Sequence, residues 1–327
     1  MIRPIAFYGG YPFLKFAARK LVGKRCLFIL LYHKIGPPAL PLFGETVLPE
    51  DFERQIRFLK KYYEIIDFKD LKSAISNANS SKDLVVLTSD DGYRDNFLYA
   101  FPIIKKYDVP LTIFLTTDVI STKQLLWPDK LAWILYKSAS NFNRQTLYRT
   151  DLPREMIRSV EKFFLTNASG QTQILRTISM HLKSYPNAEL EDILDRLTKF
   201  CNVTQWPAED LRAMLSWEEV KNMSADGVSF GSHTKSHPAL SRIPLDLARQ
   251  EIVDSKQVIE EQIQKPVTTF AYPYGKRDDT TEGIINLLRD EGFEYACTTE
   301  IGYEEFPINN PLFLKRKGVP QSPYLFL

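Results

Sequence analysis

Two clusters of side chains in this sequence could do chemistry together. Ser89-Asp90-Asp91-Gly92 follows the apolar run Leu84-Val85-Val86-Leu87-Thr88, and His233 and His237 stand four apart in Gly231-Ser232-His233-Thr234-Lys235-Ser236-His237-Pro238. Adjacent carboxylates at a strand end point in different directions, so one can bind a cation while the other takes a proton from water. Neutral imidazoles would complete a His, His, carboxylate ligand set, which suits zinc or a similar divalent metal. Alone, Asp-Asp-Gly is more often a turn. The chain has four histidines, and two of them share one short loop behind a second strand, which tips the reading toward a metal site. His181 has no strand end nearby and is expected on a surface.

The elements that must position these groups alternate along the chain. Cys26 to Tyr32 is a continuous apolar run fit for a buried strand, and Pro49 to Tyr62 carries Phe52, Ile56 and Leu59 at helical spacing. A strand near Glu64 precedes a helix capped by Asp67. Then come a strand at Leu84 to Thr88, a helix from Asp95 to Tyr107 and a strand at Leu111 to Leu115. Farther on, Ser216 with Glu219 forms a capping box, followed by a strand at Val228 to Gly231, a helix over Leu245 to Ile263, a strand at Val267 to Ala271, a helix over Glu282 to Asp290 and a strand at Tyr295 to Cys297. His33, Asp90, Asp91, His233, His237 and the Tyr272 to Gly275 segment all fall at C-terminal ends of strands, and a closed parallel barrel gathers such ends at one mouth. We therefore expect an α/β barrel.

Between 117 and 215 the alternation stops and helical patterns take over, so we expect an inserted helical subdomain inside a barrel spanning 26–327. Trp127 at its entrance could stack on a sugar ring, but we favour plain packing for Trp127 and Trp133. Residues 1–25 read as an N-terminal extension in which Phe13, Leu14, Ala17 and Leu21 oppose Lys15, Arg19, Lys20 and Lys24. That pattern is a basic amphipathic helix over 13–24 that either packs on the protein or lies on a membrane surface.

The whole set of motifs resembles the polysaccharide deacetylases, the nodulation-protein-B-like carbohydrate esterases. Beyond the two clusters, Ser216-Trp217-Glu218-Glu219-Val220 leading into Gly227 to His233, Phe270-Ala271-Tyr272-Pro273-Tyr274-Gly275, Ala296 to Glu300 and Arg316 to Pro320 all match in order. The resemblance implies a distorted, incomplete barrel of about seven parallel strands. It implies that Asp91, His233 and His237 hold a divalent metal, zinc before nickel, cobalt or iron. Asp90 would be the general base, and the backbone N–H of Tyr274 would stabilise an oxyanion.

Two departures from the family pattern bear on the chemistry. No histidine follows His237, so the general acid usually supplied by a late Leu-x-His motif is missing; Leu31-Tyr32-His33-Lys34 resembles the Tyr-His pair of a circularly permuted branch, which makes His33 the expected acid. The third motif usually opens with an Arg that orients the catalytic Asp, and Ala271 stands there instead. A buried base needs a cationic partner. Arg316 is the candidate, placed just beyond a final strand at Leu312 to Leu314, with a surface position in the Lys315-Arg316-Lys317 cluster as the alternative.

Composition agrees with an ordinary globular enzyme. A chain of 327 residues, 44% hydrophobic and 25% charged, can build one large core or two modest ones. A net charge of +2 without a basic tail argues against nucleic acid. Three widely spaced cysteines do not form a disulfide framework. The N-terminus makes a poor signal peptide, and a cytoplasmic protein, at most touching the inner membrane surface, is expected. The expected activity is metal-dependent removal of N-acetyl groups from amino sugars of a glycan or a glycan precursor such as a lipid-linked sugar. Hydrolysis of an N-formyl or cyclic amide is one alternative. A glycan-binding relic is the other, and the intact Asp90, Asp91, His233 and His237 argue against it.

Overall fold

Seven parallel strands form one closed ring, six of them from the apolar runs and the last from the charged segment Leu314–Gly318. In a computed structural model, residues 25–37, 46–76, 81–138, 142–206 and 213–319 are described. Residues 1–24, with the expected amphipathic helix over 13–24, lie outside the described residues. In chain order the elements are β1 (Cys26–Tyr32), β2 (Lys34–Ile35), β3 (Thr46–Val47), α1 (Pro49–Tyr62), β4 (Glu64–Ile65), α2 (Leu71–Ser76), β5 (Leu84–Ser89), α3 (Phe101–Tyr107) and β6 (Thr112–Leu115). Helices α4 (Trp127–Lys137), α5 (Arg144–Leu147), α6 (Arg154–Leu165), α7 (Ala168–Leu182) and α8 (Asn187–Phe200) follow without a strand. Then come α9 (Trp217–Ala225), β7 (Ser229–Ser232), α10 (Leu245–Ile263), β8 (Thr269–Ala271), α11 (Glu282–Asp290), β9 (Tyr295–Ile301), β10 (Glu304–Glu305) and β11 (Leu314–Gly318).

The ring runs β1, β5, β6, β7, β8, β9, β11 and back to β1, with every neighbouring pair parallel. The expected barrel of about seven parallel strands is therefore present, and its ring closes. Its closure rests on β1, which pairs with β5 from Leu27–Leu84 to Tyr32–Ser89 on one side and with β11 at Leu30–Lys317 on the other. The distortion lies elsewhere in the ring. The short strand β4 occupies the edge of β5 at Leu84 and Val85, leaving β6 to pair at Thr88 and Ser89, and β7 meets β8 through the single pair Ser232–Phe270. Gly231 permits the close approach near that seam, since a Cβ there would sit 2.5 Å from the side chains of Phe114 and Thr269.

Strand periodicity sorts the core into two layers. Leu27, Ile29, Leu84, Val86 and Leu314 cluster with Phe114, Ala271 and Cys297, while Phe28, Leu30, Val85 and Leu87 pack with the helix residues Phe52, Ile56 and Leu59. Each such fully buried side chain contributes on the order of 1.5–3 kcal/mol. The same alternation puts Thr88, Asp90 and Arg316 on the inward face, in register with Val86 and Leu314. Helices α4 to α8 form a second cluster of their own around Leu131, Phe163 and Leu194. The three cysteines are free and buried, and no helix among the described residues is long and apolar enough to cross a membrane.

Candidate active site

At the C-terminal mouth of the barrel, the ends of β1, β5, β7 and β8 bring His33, Asp90, Asp91, His233, His237 and Tyr274 together. The backbone there is unusual. Asp91 (φ 77°), Thr234 (68°), His237 (63°) and Tyr274 (64°) all adopt left-handed conformations. Each costs of the order of 1–3 kcal/mol and persists only where the surroundings enforce it, a pattern typical of functional sites. The enforcement is visible. Gly92 turns the chain behind Asp91 at φ 85°, and the His233–His237 loop is tied down by Glu251 of α10, which accepts from the Lys235 and Ser236 N–H groups at 2.9 and 2.8 Å. The His237 N–H also donates to Thr234 Oγ1 at 3.0 Å.

Asp91, His233 and His237 are buried and offer three ligand atoms that all lie within 4.8 Å of one another. The Nε2 atoms of His233 and His237 sit 3.4 and 3.5 Å from Asp91 Oδ1. Those separations are too long for hydrogen bonds, and Asp91 Oδ1 has no hydrogen-bond partner among the described residues. A buried carboxylate oxygen left without a partner between two imidazole nitrogens fits a divalent cation. The tautomer fits too. His233 Nδ1 lies 2.7 Å from the Ala271 carbonyl, which fixes the proton on Nδ1 and leaves Nε2 free to ligate.

Electrostatics keeps Asp91 charged and His237 neutral, while the two carboxylates draw a proton toward His233. Burial would raise Asp91, but the His233 imidazole and the neighbouring His33 and His237 pull it well below the usual carboxylate range. Burial, helped by His233, pushes His237 down to about 4, which keeps it neutral and able to ligate. Burial also opposes charge on His233, yet Asp90 and Asp91 outweigh it and raise that imidazole.

Asp90 is held differently. Arg316 donates Nη1 to Asp90 Oδ1 and Nη2 to Oδ2, both at 2.7 Å, a forked pair 1% exposed at the arginine. The guanidinium is itself fixed by donation from Nε to the Thr298 carbonyl at 2.7 Å and from Nη1 to Thr88 Oγ1 at 3.3 Å. Burial would raise Asp90, but Arg316, with His233, brings it below the ordinary carboxylate value. Arg316 thus sits where Ala271 left the base without an arginine, but not beyond the strand end as expected. It lies inside β11, because Leu312 closes a turn and the strand begins at Leu314. An inward-facing charge breaks the apolar alternation by which a strand is read from sequence.

His33 lies just past β1 and is exposed. Its carbonyl accepts from Ser89 Oγ at 3.0 Å and Asn96 Nδ2 at 2.9 Å. Asn96 opens a π-helical turn, Asn96–Ala100, where the sequence suggested an ordinary helix from Asp95. Tyr274 has an N–H with no acceptor among the described residues, while its hydroxyl accepts from Trp127 Nε1 at 2.9 Å and its ring stands 5.0 Å from that of His237. Trp127 is 7% exposed, consistent with packing rather than an open sugar platform. His181 stands apart on α7, partly exposed, 3.5 Å from Glu155. Sequence reasoning missed Glu251 and the Ala271 carbonyl. The first is one acid among many on a helix, and the second is backbone, which carries no residue signal.

A family model for polysaccharide deacetylases matches residues 77–206 and 189–296, more than half of the chain. The chain is 20% identical over 278 residues to YxkH of Bacillus subtilis (strain 168), a polysaccharide deacetylase by name, covering 84% of this chain and 64% of that protein's length. Among solved structures, the deacetylase PplD of Streptococcus pyogenes in complex with acetate is similar at a TM-score of 0.58 and 20% identity, covering 92% of this chain and 96% of that one. IcaB from Ammonifex degensii is similar at a TM-score of 0.55 and 17% identity, covering 92% and 97%. These structural likenesses concern the fold.

Proposed function

The chain belongs to the polysaccharide deacetylase family, and from that premise we propose that it is a metal-dependent hydrolase releasing acetate from N-acetylated amino sugars of a glycan or glycan precursor. The observation that carries this reading is the division of labour between two adjacent carboxylates. Asp91 Oδ1 faces two imidazole nitrogens with no hydrogen-bond partner among the described residues, while both oxygens of Asp90 are gripped by Arg316.

Asp91, His233 and His237 would hold the ion, zinc by the character of the ligand set, with nickel, cobalt or iron as alternatives. When bound, it would polarise the acetyl carbonyl and lower the pKa of water toward neutrality. The chain's own groups do the rest. Asp90, kept ionised and fixed by Arg316, accepts a proton from the attacking water through a lone pair the arginine does not use. The Tyr274 N–H, which has no acceptor among the described residues, donates to the oxygen that gains charge. His33 then gives a proton to the departing nitrogen as the C–N bond breaks, so that one water is consumed and acetate and a free amine are released.

The test is acetate release from an N-acetylglucosamine oligomer, with free amine counted in parallel. Equimolar acetate and amine support the reading. Sugar binding without turnover would instead indicate a glycan-binding protein, and turnover restricted to N-formyl or cyclic amides would move the substrate class. His33→Ala is expected to lower amide turnover by roughly 10²–10⁴-fold with metal content unchanged. Hydrolysis of 4-nitrophenyl acetate should suffer far less, because its leaving group needs no proton. Equal losses on both substrates would remove His33 from the acid role.

A further inference from the structure

Helix α4 begins the long segment between β6 and β7, yet its first turn reaches three loops of the site. Asp129 is fully buried and accepts from Lys34 Nζ at 3.0 Å and from the Tyr93 hydroxyl at 2.7 Å. Lys34 directly follows His33, and Tyr93 stands two residues beyond Asp91. Two residues before Asp129, Trp127 donates to the hydroxyl of Tyr274. Lys34 is 6% exposed, and its Nζ also stands 4.5 Å from the centre of the Tyr93 ring. A carboxylate and an ammonium kept this far from water impose one geometry on both partners, because any displacement leaves an uncompensated charge inside the protein.

Besides the pairing of Lys34 and Ile35 with Thr46 and Val47, the loop is held at His33 itself. Its carbonyl is held by Ser89 and Asn96, and the Ile35 N–H donates to Asp95 Oδ2 at 3.1 Å. These contacts fix the backbone on the β5 side. The Lys34–Asp129 pair adds a buried side-chain tie supplied by α4 rather than by the barrel. We propose that Asp129 is a positioning residue for the general acid: through Lys34 it sets where the exposed His33 imidazole stands relative to the scissile bond. The helical segment between β6 and β7 thereby completes the active site. This inference rests on the assignment of His33 as the acid.

The experiment compares wild type, His33→Ala, Asp129→Asn and the double variant Lys34→Met with Asp129→Leu, which leaves neither charge buried. Each is assayed for acetate release from an N-acetylglucosamine oligomer and for hydrolysis of 4-nitrophenyl acetate, with metal content and thermal midpoint measured alongside. Asp129→Asn is expected to lower kcat on the amide roughly 10- to 100-fold at little changed KM, as a small misplacement of a catalytic group does. The ester rate should fall less than about threefold, since it needs no acid. The double variant should regain only part of the thermal midpoint, because Tyr93 loses the acceptor of its buried hydroxyl, and should not regain the amide rate. Recovery of both together, or an amide-to-ester ratio unchanged by Asp129→Asn while His33→Ala lowers it, would overturn the positioning role and leave the acid assignment standing. Equal losses in His33→Ala would take down the acid assignment and this inference with it.

Discussion

Turnover of an N-acetylated amino-sugar oligomer is expected to fall by roughly 10²–10⁴-fold in Asp90→Asn, the cost of removing a general base. Asn matches the carboxylate in shape but cannot take the proton from water. It also leaves Arg316 buried opposite a neutral partner, so a lower thermal midpoint is expected, and rates should be compared well below it. The loss should appear in kcat and in kcat/KM alike, because the proton transfer occurs in the transition state. Wild-type turnover in folded Asp90→Asn would mean that another group takes the proton.

Arg316→Ala tests the same carboxylate from the other side. Breaking a buried pair by removing one partner costs about 3–5 kcal/mol, so a clear drop in the thermal midpoint is expected. The pH profile gives the sharper result. In the wild type, Arg316 holds Asp90 below the ordinary carboxylate value against burial, which pushes it up. Without the arginine, burial dominates and Asp90 keeps its proton to higher pH. The acidic limb of kcat/KM should therefore move upward. The stability contributed by the pair is present above the ordinary carboxylate pKa and is lost as pH falls through the depressed one, so the gap in midpoint between wild type and variant should narrow in acid. Arg316→Lys should restore the position of the limb only in part, since an ammonium lacks the fork that grips both oxygens. An acidic limb identical to wild type would show that Asp90 is oriented by something else.

Much of this site could be read from residue types, because its chemistry is carried by side chains at the ends of apolar runs. Helices Pro49–Tyr62, Leu245–Ile263 and Glu282–Asp290 have the limits their periodicity suggested, and Ser216 with Glu219 forms the expected capping box. What escaped is of another kind. The barrel itself was expected from the strand ends, but the register by which β1 pairs with β5, some 57 residues away, is encoded in no local pattern. The strand holding Arg316 was shifted because a charge on its inward face interrupts the alternation, although that charge is the one the base requires. β9 continues past Cys297 to Ile301 through polar residues that pair at the mouth of the barrel. The orientation of His233 by the Ala271 carbonyl is invisible in sequence, since every residue has a carbonyl. Asp129 is one acid in the first turn of a helix, and its place between two catalytic loops emerges only once α4 is packed against the barrel.

The central claim, that one carboxylate ligates while its neighbour works as the base, is tested most directly by elemental analysis of purified wild type, Asp90→Asn and Asp91→Ala, with acetate release measured on the same samples. We expect about one divalent ion per chain in the wild type and in Asp90→Asn, and essentially none in Asp91→Ala, with acetate release at least about 10²-fold slower in both variants than in the wild type. Retention of the ion in Asp91→Ala together with its loss in Asp90→Asn would contradict the account.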